Sequence, residues 1–189
     1  MNKLLFVALI ACVFLLGCTE EPQVVKEIVV YNETNCPSIS CPPAIQPTSI
    51  DVYFCPQDNC FQALIDVVSS ANESVHVAIY SFTRQDLADA IITKNNASLD
   101  VFVVMDKSQA AGVYSIDEYL VDNRVNVTIK SGSNGGIMHN KIVVVDGKVV
   151  CTGSVNYSIG GFEKNDENLI CIFSESIAKQ YENYLETLI

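Results

Sequence analysis

The stretch Val143-Val144-Val145-Asp146-Gly147-Lys148-Val149-Val150 narrows the fold more than any other part of this chain. Two β-branched runs flank Asp-Gly, the pair that most readily adopts the positive φ angles of a type I′ hairpin turn. A two-residue turn sets Val145 against Lys148. Lys141 then opposes Thr152, and His139 opposes Ser154. Opposed residues, and residues two apart, share one face of a sheet. The pattern therefore predicts His139, Lys141, Thr152 and Ser154 together on one side, with Asn156 two residues beyond. The patch would hold a nucleophile or base, a fixed cation, hydroxyls and an amide. Such a set can attack phosphorus and hold the oxygens around it.

The flanking sequence alternates strand and helix patterns. Asp51–Phe54 reads as a first strand, followed by a helix capped by Asp58 with Phe61, Leu64, Ile65 and Val68 on one stripe. Strands are expected at Ser74–Tyr80, Leu99–Met105, Val125–Ile129 and Asn168–Phe173, and helices at Arg84–Lys94, Ala110–Val121 and Ile177–Leu188. Leu99–Met105 is apolar throughout, as in a strand covered on both faces. This order predicts an α/β fold, an α/β/α sandwich with a mixed central sheet that is largely parallel in its first half.

The chain of 189 residues has room for one such domain, expected over residues 50–189. Residues 1–17 carry Lys3 and then an apolar run from Leu4 to Leu16, too short to span a bilayer and of signal-peptide length. Leu15-Leu16-Gly17-Cys18 resembles a lipobox, in which Cys18 becomes the lipidated first residue. Residues 18–49 hold five of the six prolines and read as a linker with a mean reach of roughly 30 Å. These features predict an exported domain tethered to the outer face of the cytoplasmic membrane.

The hairpin carries a family resemblance. His139-Asn140-Lys141 with Asp146 fits the His-x-Lys-x4-Asp motif of the phospholipase D superfamily. Gly153-Ser154-Val155-Asn156 resembles its downstream Gly-Ser-x-Asn element, and Glu167-Asn168 the Glu-Asn that follows. Ile79-Tyr80-Ser81-Phe82-Thr83 resembles the exit of the second strand in the small single-motif endonucleases of that superfamily. The resemblance implies a phospholipase D-like single-motif half and metal-independent phosphodiester hydrolysis without a cofactor. His139 would form a covalent phosphohistidine, and a second copy of it would act as acid and base. Lys141, Ser154 and Asn156 would bind phosphate oxygens, and Glu167 would accept a hydrogen bond from the imidazole. Asp146 and Gly153 are expected to shape structure. Because one chain has one motif, the resemblance implies a homodimer with a shared centre.

Outside the motif, His76 reads as a packed residue, and the segment from Ser131 to Gly136 as a flexible loop leading to His139. Arg84, Lys130 and Asp106 are weaker site candidates. Of the eight cysteines, Cys36/Cys41 and Cys55/Cys60 are spaced for local disulfides, or alternatively for one zinc site. The two-residue turn puts Cys151 on the face away from His139; if Glu167 meets His139, as the resemblance implies, Cys171, which shares its parity, lies on the other face, and both are expected as buried thiols. The substrate reading favours nucleic acid, with membrane phospholipid as the alternative and a catalytically idle surface module as the third. A net charge of −11 weakens long-range attraction to either polyanion.

Overall fold

The computed structural model describes residues 49–189. The expected leader, Cys18, the linker with Cys36 and Cys41, and the domain boundary at residue 50 lie outside or at the edge of these residues. Seven strands form one mixed sheet: β1 (Ser49–Cys55), β2 (Ser74–Ile79), β3 (Asp100–Asp106), β4 (Asn126–Lys130), β5 (Lys141–Val145), β6 (Val149–Gly153) and β7 (Glu167–Phe173). Their order is β1-β7-β6-β5-β2-β3-β4, with β2, β3 and β4 parallel and the remaining pairs antiparallel.

Helices α1 (Cys60–Ser69), α2 (Gln85–Asn96), α4 (Asp117–Asp122) and α5 (Ile159–Glu163) supply Leu64, Leu87, Leu120 and Phe162 to one core. That core also takes Val77, Val103, Val143 and Cys151 from the sheet. The long C-terminal helix α6 (Glu175–Glu186) covers the other face, packing Ala178 and Leu185 on Ala78, Phe102, Ile142 and Val144. A central strand with an apolar core on each face must be apolar at nearly every position, which explains the uninterrupted valines of β5. None of the helices among the described residues is long and apolar enough to cross a membrane.

Three expectations change. The Ala110–Val121 helix is instead α3 (Lys107–Ala110) and α4, separated by a loop through Gly112. Asp106 caps α3 by accepting from the N–H groups of Ser108 and Gln109, so the helix begins earlier, and Gly112 weakens its continuation. Asp58 does not cap α1; its carboxylate takes the Phe54 N–H at 2.8 Å, and Asn59 occupies the cap position.

The third change concerns the hairpin. Asp146 and Gly147 both have positive φ (55° and 60°), and the Lys148 N–H donates to the Val145 carbonyl at 2.9 Å, as a type I′ turn requires. The ladder nevertheless resumes one residue late, pairing Val145 with Val149 and Ile142 with Thr152. Lys148 is an extra residue between turn and ladder, and one extra residue turns every later side chain of β6 over. Thr152 thus leaves the expected patch for the α6 side. Cys151 comes directly opposite Cys171 and forms a disulfide with it, in place of the two buried thiols. Cys55 and Cys60 form a second disulfide, so neither is free to ligate zinc.

Candidate active site

The site lies where β2 and β6 end and β5 and β7 begin. Ile79, the last residue of β2, pairs with Lys141, the first of β5, so Tyr80 lies beside the segment that carries His139. The Tyr80 N–H donates to the Asn140 carbonyl at 2.8 Å, and the Tyr80 and His139 ring centroids are 4.5 Å apart at a tilt of 59°. His139 is solvent-exposed. Lys141 is only 6% exposed; its Nζ donates to the His139 carbonyl at 3.0 Å and sits 4.9 Å from the Tyr80 ring centroid. Burial lowers the Lys141 pKa, against the opposing pull of the Glu167 charge.

Ser154 lies past the end of β6, so strand alternation no longer dictates its direction. The Gly153 backbone approaches β7 so closely that an added Cβ would stand 2.2 Å from the Asn168 carbonyl oxygen. That contact swings Ser154 to Glu167: its hydroxyl donates to Glu167 Oε2 and accepts the Asn168 N–H at 3.1 Å. Asn165 Nδ2 donates to Glu167 Oε1 at 3.3 Å. The imidazole bond expected of Glu167 is not among these contacts. Asn156 Oδ1 is buried without a hydrogen-bond partner. A buried orphan acceptor carries a desolvation cost, and such costs concentrate at functional sites.

Asp146 lies in the hairpin turn, at the far end of β5 from this cluster. Its carboxylate accepts the N–H groups of Asn72, Glu73 and Ser74 at 2.8–3.1 Å and ties the turn to the start of β2. Burial opposes its ionisation, but these backbone donors hold the carboxyl below its ordinary range. Arg84 is stacked 3.7 Å above the Phe61 ring and paired with Asp86 and Glu163. His76 is buried on the α6 side, pairing with Glu182 and stacking on Phe102.

The sequence places Tyr80 only in a strand exit, without a site role, and gives Asp106 little weight. Tyr80 is the first residue past a strand end, where a core strand would hand over to a loop. Asp106 is 1% exposed, and its Oδ2 accepts the Met138 N–H at 2.7 Å. Burial works against its charge, yet the Ser108 hydroxyl and the Met138, Ser108 and Gln109 N–H groups hold its carboxyl below the usual range. The Gln109 side chain in turn donates to the Tyr80 hydroxyl at 3.1 Å. A cavity of about 350 Å³ opens beside His139, between the loop from Lys130 to Asn140 and the Tyr184 and Leu188 side chains.

This arrangement has known counterparts. Residues 64–189 match the family model described as cardiolipin synthase, PLD-like domain. The chain belongs to the phospholipase D superfamily. It is 26% identical over 139 residues to phospholipase D of Rickettsia typhi, covering 74% of this chain and 67% of the relative. It is 30% identical over 131 residues to mitochondrial cardiolipin hydrolase of Xenopus laevis, covering 69% of this chain and 61% of the relative. The chain thus spans between three fifths and two thirds of the length of these relatives. Among solved structures, NucT from Helicobacter pylori superposes with a TM-score of 0.68 at 29% identity, covering 75% of this chain and 96% of that one. The phospholipase D family member Nuc from Salmonella typhimurium gives 0.68 at 26% identity, with 75% and 94% coverage. The fold is phospholipase D-like, and the relatives named phospholipase D and cardiolipin hydrolase are phosphodiester hydrolases.

Proposed function

We propose that this chain is a phosphodiesterase acting through a phosphohistidine on His139, at a centre shared by two copies, with nucleic acid as substrate. The observation that carries the reading is the cluster itself: an exposed imidazole whose backbone carbonyl takes a hydrogen bond from a buried ammonium two residues on, in a phospholipase D-like fold.

In the first step a His139 ring nitrogen attacks phosphorus. The P–N bond forms and the P–O bond to the departing alcohol breaks, with the partner subunit's His139 giving its proton to that oxygen. In the second step the same partner imidazole takes a proton from water, the water oxygen attacks phosphorus, and the P–N bond breaks. Lys141 Nζ and Asn156 Nδ2 donate to the non-bridging oxygens. Lys141 is already fixed by the His139 carbonyl and the Tyr80 ring, so little reorganisation accompanies charge development. Glu167 acts here as a positioning residue, holding Ser154 and countering the charge of Lys141.

An exposed apolar strip supports pairing of two copies. Ile50, Val52 and Phe54 alternate on one face of β1 and are 53%, 52% and 59% exposed, while Tyr53 and Cys55 pack inward. The strip extends the layer covered by α6, because Ile50 pairs with Ile172 and Val52 with Ile170. It reaches the site end of the sheet, where Phe54 pairs with Asn168. An exposed apolar patch of this kind suits an interface with a second copy.

Two disulfides among the described residues support maturation in an oxidising compartment, in keeping with an exported domain held by Cys18 and a linker over residues 18–49. Phospholipid is the second reading, favoured by relatives named phospholipase D and cardiolipin hydrolase. Incubation of residues 49–189 with plasmid DNA, RNA, phosphatidylcholine and cardiolipin in EDTA separates the readings. Nucleic acid cleavage is expected; turnover of lipid alone would replace the substrate, and strict dependence on added metal would overturn the phosphohistidine scheme. Inertness towards all four by a verified dimer would favour the idle module.

A further inference from the structure

Asparagine followed two residues on by serine or threonine, with no proline between, recurs in this chain at Asn32, Asn72, Asn96, Asn126 and Asn156. This triplet is the acceptor for N-linked oligosaccharide in exported proteins. Asn32 lies outside the described residues. The fold sorts the other four into two groups. Asn72 precedes β2, Asn96 ends α2 just before β3, and Asn126 opens β4. Because β2, β3 and β4 are parallel neighbours, all three acceptors stand at the end of the sheet where these strands begin. The active site stands at the end where they finish, since Ile79, the last residue of β2, pairs with Lys141.

Asn72, Asn96 and Asn126 are all exposed, and the segments that carry them adjoin one another. The Asp100 N–H donates to the Glu73 carbonyl at 3.0 Å, joining the entry of β3 to that of β2. Asn95 Nδ2 donates to the Arg124 carbonyl at 3.2 Å, joining the end of α2 to the entry of β4. Asn72 Nδ2 donates to the exposed Ser70 carbonyl at 2.7 Å, a surface bond that water can replace. Asn156 differs from these three. Its Oδ1 is buried, and the Tyr157 side chain beside it is in the core. The Tyr157 N–H donates to the Ser81 carbonyl at 3.0 Å, and the Ser158 hydroxyl caps α5 by accepting the Gly161 N–H at 3.0 Å. The triplet at Asn156 is locked into the fold, whereas the other three lie open.

We propose that Asn72, Asn96 and Asn126 are N-glycosylation sites, so that the pole opposite the active site carries oligosaccharide while the substrate end stays bare. The donor is an oligosaccharide linked through phosphate to a polyprenyl lipid. The asparagine amide nitrogen bonds to the anomeric carbon, the bond from that carbon to the phosphate oxygen breaks, and the lipid phosphate departs. The amide proton passes to a base of the transferase. Position gives the sugar on Asn126 a further effect, because β4 is an edge strand on which Ile129 is 43% exposed. A sugar chain there covers an edge otherwise open to pairing with another strand. The opposite edge, β1, keeps its apolar strip for a second copy. The proposal rests on the export reading, which the two disulfides support, and is independent of the phosphodiesterase reading.

The test isolates the full chain from its source cells without reduction, digests it and sequences the peptides by mass spectrometry. Sugar masses are expected on Asn72, Asn96 and Asn126, with Asn156 bare. Asn72→Gln, Asn96→Gln and Asn126→Gln, each made as the full chain in the same cells, should each remove one sugar increment from the intact mass. Thr128→Ala keeps Asn126 but removes the hydroxyl of its triplet and should lose the same increment, whereas Thr128→Ser should retain it. A bare asparagine at any of the three positions would overturn its assignment. Bare asparagines at all three, or sugar on Asn156 instead, in protein whose Cys55–Cys60 and Cys151–Cys171 bonds are formed, would overturn the proposal and leave the export reading intact. Free thiols at these four cysteines would overturn the export reading and the proposal with it.

Discussion

The Asp106 carboxylate accepts the Met138 N–H at 2.7 Å across 32 residues, so the last residue of β3 sets the backbone immediately before His139. Its other oxygen is occupied by the Ser108 and Gln109 N–H groups and the Ser108 hydroxyl. The carboxylate thus couples the cap of α3, and through Gln109 the Tyr80 ring, to the nucleophile. Asp106→Asn cannot accept on both sides without presenting its NH₂ to a donor. It is expected to lower stability by about 1–3 kcal/mol and kcat by roughly tenfold or more, with KM little changed. Steady-state kinetics beside urea unfolding checks this; full activity at reduced stability would restrict Asp106 to a structural role.

Acid sensitivity follows from Asp106 and Asp146, whose carboxyls lie below the ordinary value of 3.8. The unfolded chain takes up protons at these positions first, so their contribution is whole above about pH 4 and is lost as pH falls through the folded values. Urea midpoints measured from pH 7 down to pH 3 should fall below about pH 4, and fall less steeply in Asp146→Asn. An equal slope in the variant would contradict this assignment.

Lys141 places activity and stability in opposition. Burial depresses its pKa, so the charged amine carries a desolvation cost in the folded state that methionine does not. Lys141→Met is expected to melt no lower than the wild type, and up to a few degrees higher, while losing activity by roughly a thousandfold. A loss of stability above about 1 kcal/mol would show that the contacts to the His139 carbonyl and Tyr80 are chiefly structural.

The Cys151–Cys171 disulfide joins β6 to β7 between the residues that lead to Ser154 and Glu167, and both sulfurs are at most 1% exposed. Replacing both cysteines by alanine should cost about 2–4 kcal/mol. In the native protein thiol reductants should act slowly, and rapidly once urea exposes the pair. Rapid native reduction would show that β6 and β7 separate readily.

Much of this was legible in the sequence. The helix stripe of α1, the apolar run of β3 and the Asp-Gly turn each follow from local pattern, and together they specify a mixed sheet with a hairpin in its centre. What escaped was long-range. Nothing in Val145–Val149 says that Lys148 will be left out of the ladder, yet that one residue decides which face Cys151 and Thr152 occupy. Ser154 reached Glu167 for a different reason than alternation, through the close approach of Gly153 to Asn168. Asp106 stands 33 positions before His139, and the pairing of Ile79 on β2 with both Met105 and Lys141 brings their strand ends together.

The central claim is a covalent phosphohistidine at His139, and trapping it is the most direct test. Residues 49–189 would be acid-free quenched during turnover of a ³²P-labelled diester in EDTA, digested, and sequenced by mass spectrometry. Base-stable, acid-labile phosphate on the His139 peptide, absent from His139→Asn, is the predicted result. Turnover without label on that peptide, or turnover only when metal is supplied, would contradict the account.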